Sequence, residues 1–358
     1  MNEEFQRRMD EATRLVRGGN LMEATAAIQR ALGVPQPAPG DASAGSSVHA
    51  DENVIDVQAR VIDDDPVVVL PDTTPRTRPE SFSSGHFRNE CGMRDYRLFE
   101  PARPDARPLP LVVMLHGCTQ DPDDFARGTR MNALARAQGV LVLYPAQSAR
   151  ANAQRCWNWF KHTHQARGKG EPGILAGMVR HVIATHDVDP ARVYVAGLSA
   201  GGAMAAILGD AYPDLFAAVG VHSGLPAGSA TDVPSAFAAM GGAATAPRRA
   251  PKAGATPPTI VFHGDADPTV NVVNGERVLA AAGVSARPDV QHGVSASGVP
   301  WSRRIWVGGQ GAERAEQWTI HGAGHAWSGG DLGGTFTDPR GPDASAEMLR
   351  FFLAHPKA

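Results

Sequence analysis

The strongest constraint on this chain is a set of runs that are apolar on successive residues. Leu111-Val112-Val113-Met114-Leu115, Val140-Leu141-Val142-Leu143-Tyr144, Val193-Tyr194-Val195-Ala196 and Thr259-Ile260-Val261-Phe262 show no polar alternation. A strand with one wet face alternates with period two. A strand apolar throughout must be covered on both faces, as parallel strands are. Helix-compatible stretches lie between the runs, among them 173–186 and 201–211. Strands alternating with helices predict an α/β fold, a mostly parallel sheet with helices on both faces, over residues 81–358. Tyr96-Arg97-Leu98-Phe99 reads as an early strand and Glu316-Gln317-Trp318-Thr319-Ile320 as a late one. The Ala-, Gly- and Pro-rich segment 226–257 reads as part of a cap or as a surface loop.

The N-terminal part reads differently. Phe5, Met9, Ala12 and Val16, then Leu21, Ala24, Ile28 and Leu32, recur at helical spacing on either side of Gly18-Gly19-Asn20. They predict a helical hairpin over 1–34, resembling one tetratricopeptide unit. A single such unit cannot bury its apolar face alone, so it should pack on the rest of the chain, self-associate or take a protein partner. Residues 35–80 are rich in Pro, Gly, Ser and Asp and predict a partly disordered linker. Within them, Pro66-Val67-Val68-Val69-Leu70 could pair as a strand or dock locally.

Composition excludes some classes. With 358 residues, a formal charge of −3 and 20% charged residues, the chain has no basic character that would point to nucleic acid. The start, Met1-Asn2-Glu3-Glu4-Phe5-Gln6-Arg7-Arg8, lacks an export signal's basic start and apolar run, and no stretch is apolar enough to span a bilayer. The expectation is a cytoplasmic protein with no membrane span. Cys91, Cys118 and Cys156 are too few for a disulfide scaffold and lack zinc-site pairing. In a reducing cytoplasm they read as three thiols. His162 and His164 have no carboxylate at ligand spacing, so no metal site is expected.

The chemistry centres on Val193-Tyr194-Val195-Ala196-Gly197-Leu198-Ser199-Ala200-Gly201-Gly202-Ala203-Met204. An apolar strand runs through Gly-x-Ser-x-Gly into a helix. This is the turn that projects a nucleophilic serine from a sheet edge, with glycines permitting the close packing it demands. The bland alternative, a glycine-rich strand-to-helix turn, is weakened by the partners downstream. The run Ile260-Val261-Phe262 leads into a loop holding Asp265 and Asp267, either of which could orient a histidine. His325 lies in the flexible Gly322-Ala323-Gly324-His325-Ala326-Trp327 loop. His321 competes but sits nearer the strand end, where a packed or solvated role suits it better. The order serine, acid, histidine is that of α/β-hydrolases. Oxyanion donors would be the Ala200 N–H, just after the nucleophile, and an N–H from His116-Gly117-Cys118-Thr119-Gln120. Gly117 lets the backbone turn, Cys118 N–H is the expected donor, and His116 reads as a structural hydrogen bonder.

Taken together, Leu115-His116-Gly117-Cys118-Thr119-Gln120, Cys156-Trp157-Asn158-Trp159-Phe160, Gly197-Leu198-Ser199-Ala200-Gly201-Gly202, His263-Gly264-Asp265-Ala266-Asp267 and Gly324-His325-Ala326-Trp327 resemble the polyhydroxybutyrate depolymerase family of esterases, over about residues 85 to 355. The resemblance implies an α/β-hydrolase fold, cleavage of carboxylic esters and no cofactor. It selects Asp267, from the pattern His-Gly-x-x-Asp-x-x-Val, as the acid. Family members act on polyhydroxyalkanoates, feruloyl esters, acetylated sugars and small esters, so the substrate stays open. Trp157 and Trp159 are either an aromatic wall of the acyl cleft or two core side chains. Cys118 and Cys156 both fall in family motifs; they either form a disulfide clamping the oxyanion loop or remain thiols. Two rival functions stand beside ester hydrolysis: another triad hydrolase, such as a thioesterase or peptidase, and a non-catalytic protein binding a polymer granule or a partner through the hairpin.

Overall fold

The computed structural model describes residues 78–103, 107–243, 256–284, 287–308 and 313–357. The expected hairpin (1–34) and the linker up to residue 77 lie outside the described residues, as does the run Pro66–Leu70.

The six expected strands join four others in one ten-stranded sheet. In chain order its members are β1 (Ser81–Asn89), β2 (Gly92–Glu100), β3 (Leu109–Leu115), β4 (Leu141–Pro145), β5 (Val188–Leu198), β6 (Ala218–His222), β7 (Thr259–Gly264), β8 (Asp289–Val294), β9 (Pro300–Val307) and β10 (Glu313–Ile320). Their spatial order is β1-β2-β4-β3-β5-β6-β7-β10-β9-β8. The six central strands, β4-β3-β5-β6-β7-β10, are all parallel to one another. An antiparallel ribbon closes each side: β1 with β2, and β8 with β9. Every side chain of β4, β6 and β7 is buried, as continuous apolar runs require. A short parallel pair, β11 (Trp327–Ser328) with β12 (Thr337–Asp338), lies outside the main sheet.

Seven helices are described: α1 (Pro122–Thr129), α2 (Met131–Gln138), α3 (Gly170–Thr185), α4 (Ala200–Ala211), α5 (Val233–Met240), α6 (Val273–Ala281) and α7 (Ala344–Leu353). Two buried clusters show that helices cover both faces. One packs α3 and α4 residues such as Leu175, Val179, Met204 and Leu208 on Val113, Val195 and Val221. The other packs Met131, Ala135, Met348, Leu349 and Phe352 on Val112, Met114 and Ile260. The arrangement is an α/β-hydrolase fold. Segment 226–257 contains α5, capped by Asp232 and Ser235, while 244–255 falls outside the described residues. Among the described residues no helix is long and apolar enough to cross a membrane.

Candidate active site

In this fold the parallel strands end at one edge of the sheet, and every expected site residue follows a strand there. Ser199 comes directly after β5. Its backbone stands at φ 57, ψ −119, a left-handed conformation that costs a non-glycine residue on the order of 1–3 kcal/mol. Serine is a favoured helix N-cap, yet the Ser199 side chain makes no capping bond to α4. Its hydroxyl is therefore not committed to ending the helix. Ser199 N–H instead donates to His222 O at 2.8 Å. The flanking glycines are sterically required. A methyl group on Gly197 would strike the Gly201 backbone, and one on Gly201 would strike the Leu115 and His116 carbonyls.

Strands β7 and β10 pair in parallel, with Gly264 opposite Ile320, so their following loops emerge side by side. The loops touch through Ala266 N–H to Ala323 O at 3.1 Å, and Gly264 leaves no room for a side chain against Ala323. Across this contact His325 Nδ1 meets Asp267 Oδ2 at 2.7 Å. The Asp267 carboxylate has no exposed surface and the His325 side chain is 10% exposed. Asp267 Oδ1 accepts from Thr269 N–H at 2.8 Å and Val270 N–H at 2.9 Å. Burial alone would raise the Asp267 pKa. The contacts from His263 and His325 and the Val270 N–H outweigh burial and hold the carboxyl well below its ordinary range. An ionised Asp267 accepts the Nδ1 proton, which leaves His325 Nε2 free to act as a base.

Asp265 belongs to a separate pair. Its Oδ2 lies 2.7 Å from His321 Nδ1, and both side chains are more than a third exposed. The two aspartates and two histidines that compete in the sequence are thus sorted into Asp267–His325, buried, and Asp265–His321, at the surface.

The loop after β3 holds Cys118, the second residue expected to offer an oxyanion donor. Gly117 N–H donates to Gln120 Oε1 at 2.9 Å, and Thr119 N–H, at φ 66, to Gln154 O at 2.7 Å. Cys118 N–H, between them, has no acceptor among the described residues. Ala200 is the first residue of α4, where N–H groups have no intrahelical acceptor. Two unsatisfied N–H donors, a strained serine and a carboxylate-held imidazole form a set of parts suited to acyl transfer.

A family model described as "Esterase PHB depolymerase", where PHB is polyhydroxybutyrate, matches residues 94–283, more than half of the chain. The chain belongs to this esterase family. Poly(3-hydroxyalkanoate) depolymerase C of Paucimonas lemoignei is 34% identical over 233 residues, which is 60% of this chain and 54% of that protein. Poly(3-hydroxybutyrate) depolymerase of Ralstonia pickettii is 31% identical over 252 residues, 65% of this chain and 51% of that one. The chain therefore spans about half the length of these curated relatives. Among solved structures, the acetyl xylan esterase from Aspergillus awamori superposes with a TM-score of 0.60 at 20% identity, over 76% of this chain and 99% of that one. That likeness concerns the fold alone.

Three features of this family member depart from the sequence reading or escape it. First, Trp157 is fully buried and Trp159 is 5% exposed, both within the core. An aromatic wall needs an accessible ring face, so the substrate-wall reading of Trp157 and Trp159 is set aside. The Trp157 indole N–H donates to His116 O at 3.1 Å and so braces the loop after β3. Second, Cys118 and Cys156 are joined in a disulfide, 38 residues apart in sequence, rather than left as thiols; Cys91 remains free.

Third, two buried histidines and one buried glutamate tie the loops together. His222 passes from one site loop to the next: its carbonyl receives Ser199 N–H, and its Nε2 accepts Ser328 N–H at 3.0 Å, three residues beyond His325. His116 Nδ1 donates to Gly117 O at 2.7 Å while Nε2 accepts Gln147 N–H at 3.1 Å. Burial pushes its pKa down to about 4, so it is neutral. Glu171, on α3, has no exposed surface. Its Oε1 accepts from Gln147 Nε2 at 2.5 Å, Asn158 Nδ2 at 2.7 Å and Arg94 at 3.0 Å, and its Oε2 accepts from Asn158 N–H at 2.7 Å. His164 lies 3.6 Å from that carboxylate, and among the described residues neither it nor His162 joins a group of three or more ligating side chains. The sequence gives no sign of the Glu171 cluster, because its members come from four separate segments.

Proposed function

We propose that this chain is a serine carboxylic-ester hydrolase in which Ser199 Oγ attacks the ester carbonyl. His325 Nε2 takes the serine proton and later hands it to the departing alkoxide. Asp267 holds His325 in the required tautomer and stabilises the imidazolium. Cys118 and Ala200 N–H groups take the charge of the tetrahedral oxyanion. Water, deprotonated by His325, then releases the acyl group. No step in this cycle calls on a cofactor.

The observation that carries the reading is the buried 2.7 Å pair of Asp267 with His325, whose segment is tied through Ser328 to His222, the residue that also accepts the N–H of the strained Ser199. A purely structural salt bridge would give no reason for the chain to hold Ser199 in a costly conformation. The same observation weighs against a purely granule- or partner-binding protein.

The substrate class we propose is hydroxybutyrate oligomers and related small hydroxyalkanoate esters, from the names of the relatives in the family. Feruloyl and acetyl esters, thioesters and peptides are the competing substrates of the same machinery. The test is kcat/KM for hydroxybutyrate dimer and trimer, feruloyl and acetyl esters, an acyl-CoA and a dipeptide amide, on wild type and Ser199→Ala. Turnover of the oxo-esters, absent in Ser199→Ala, is expected. Preference for the amide or the thioester would replace the proposed class. No turnover of any arm by folded protein would favour a binding role.

The Cys118–Cys156 bond bears on location. Disulfides persist in oxidising compartments, whereas the N-terminal sequence led to an expectation of the cytoplasm. Alkylation of thiols at the moment of lysis decides between the two: protected cysteines favour an exported protein, and full alkylation of all three favours the cytoplasm.

A further inference from the structure

A second serine is held in the same chemical relation to a histidine and an aspartate as a hydrolase nucleophile. Ser302, on β9, has its Oγ 2.7 Å from His321 Nε2. His321 Nδ1 is 2.7 Å from Asp265 Oδ2, whose other oxygen accepts Gly322 N–H at 2.7 Å. A third contact comes from His292, on β8, with Nδ1 3.0 Å from the same Ser302 Oγ. The strand register makes this row: Ser302 pairs with His292 on one side and Thr319 on the other, and His321 follows β10 directly.

Hydrogen-bond roles in the row have one consistent direction. The Asp265 carboxylate can only accept, and the Gly322 N–H and His321 contacts outweigh the burial that would otherwise raise its pKa. His321 therefore donates through Nδ1, and in the neutral ring Nε2 can only accept. The Ser302 hydroxyl proton must then point at Nε2, while a lone pair of Oγ takes the His292 Nδ1 proton. This is the arrangement in which a base removes a proton from an attacking oxygen. Ser302 is half-buried and the histidines flanking it reach solvent.

We propose that Ser302, His321 and Asp265 form a second, subsidiary acyl-accepting site, selective for esters with good leaving groups. The selectivity follows from what the row lacks. Ser302 lies inside a strand paired on both sides, so its one backbone N–H is committed to the sheet ladder rather than turned toward an oxyanion. Each missing oxyanion donor costs about 10²–10³ in rate. Alkyl esters are then too slow, and activated aryl esters and phosphonyl fluorides remain. In the step, the Oγ–acyl bond forms, the serine proton passes to His321 Nε2, and the bond to the aryl oxygen breaks, the aryloxide leaving with that proton. Water then adds to the acyl carbon, giving its proton to His321, and the carboxylic acid departs as Ser302 recovers its hydroxyl. With a phosphonyl fluoride the Oγ–P bond forms, fluoride leaves and the adduct persists.

The experiment is residue-resolved mass spectrometry of folded Ser199→Ala protein after exposure to an alkyl fluorophosphonate. A slow adduct on Ser302 is expected, at least about 100-fold slower than labelling of Ser199 in wild type. It should vanish in Ser199→Ala/Ser302→Ala and fall at least tenfold in Ser199→Ala/His321→Gln, which keeps a hydrogen-bonding group but no base. Absence of any adduct on Ser302 overturns the proposal. So does an adduct whose rate ignores His321→Gln, since that is an ordinary surface hydroxyl. If Ser199→Ala does not fold, wild type labelled to saturation gives the same reading through a second adduct. Because the adduct is mapped to its residue, this outcome is independent of whether Ser199 is the principal nucleophile.

Discussion

Glu171→Gln tests whether the oxyanion loop is held from below. The substitution preserves volume and removes the charge. In the native protein the carboxylate accepts four hydrogen bonds and faces Arg94, itself only 8% exposed. If the new amide oxygen takes the position of Oε1, its NH2 points at Asn158 N–H, donor against donor. Arg94 is then left as a buried cation without its counter-charge. Breaking one side of a buried ion pair costs about 3–5 kcal/mol, and a lost hydrogen bond to a charged group accounts for roughly 1.5–3 kcal/mol within that. The consequence reaches the site through Gln147, whose side chain binds Glu171 and the Cys156 carbonyl and whose N–H fixes the His116 ring. Outright loss of an oxyanion donor costs about 10²–10³ in kcat. A donor displaced through two intermediate residues should cost less, on the order of tenfold, with KM near wild type. Urea unfolding and steady-state kinetics on a small soluble ester measure the two effects. A variant within about 1 kcal/mol of wild type and with unchanged kcat would refute the reasoning: Glu171 would then be neither buried ion partner nor positioning residue.

Other expectations follow from the same geometry. Asp267→Asn should lower kcat by about 10⁴, because the amide favours the wrong His325 tautomer, whereas Asp265→Asn, acting on the separate surface pair, should leave ester turnover within twofold; the reverse order of severity would exchange the two assignments. Replacing Cys118 and Cys156 by Ala opens a 38-residue separation, worth about 4 kcal/mol in the chain-entropy model and a fall in Tm on the order of 5–10 °C, read by calorimetry against wild type with and without reductant. Stability should also decline on acidification from pH 6.5 toward about 4, the window between the ordinary histidine value and that of buried His116. In this range the unfolded chain binds a proton that the folded one refuses, so His116 alone removes roughly 3 kcal/mol by pH 4. His222, pushed well below its ordinary value mainly by burial, adds in the same direction. A flat stability profile between pH 6.5 and 4.5 would mean that these rings are not buried and neutral.

The parts of the fold that the sequence made legible are those where one residue type dominates a whole element. Runs such as Leu111–Leu115 announce a strand buried on both faces because nothing polar interrupts them. Strand β6, Ala218-Val219-Gly220-Val221-His222, escaped because it is short and contains only two β-branched residues, although every residue in it is buried. The ribbon of β8 and β9 escaped for the opposite reason: Val290 and Val294 face solvent, while Arg303 is drawn into a charge cluster with Glu313 and Glu316. At the site, Ser199 was legible because the turn needs glycines at fixed offsets. The choice between Asp265 and Asp267 rested on the family resemblance alone, because locally it depends on which of two histidines each loop faces across a strand pair. Residues that work through distant partners, Glu171 and His222 above all, carry no local signature. Trp157 and Trp159 were left between cleft and core for the same reason, since the sequence does not say which way the rings turn.

The central claim, that Ser199 is the nucleophile of an ester hydrolase, is tested most directly by trapping the covalent intermediate. Wild-type protein mixed rapidly with a p-nitrophenyl ester and quenched in acid should show a burst of one p-nitrophenol per chain. Peptide mass spectrometry of the quenched protein should place the acyl group on Ser199 within the first turnover, ahead of any adduct on Ser302. Steady ester turnover without an acyl group on Ser199, or a full burst retained in folded Ser199→Ala, would contradict the account.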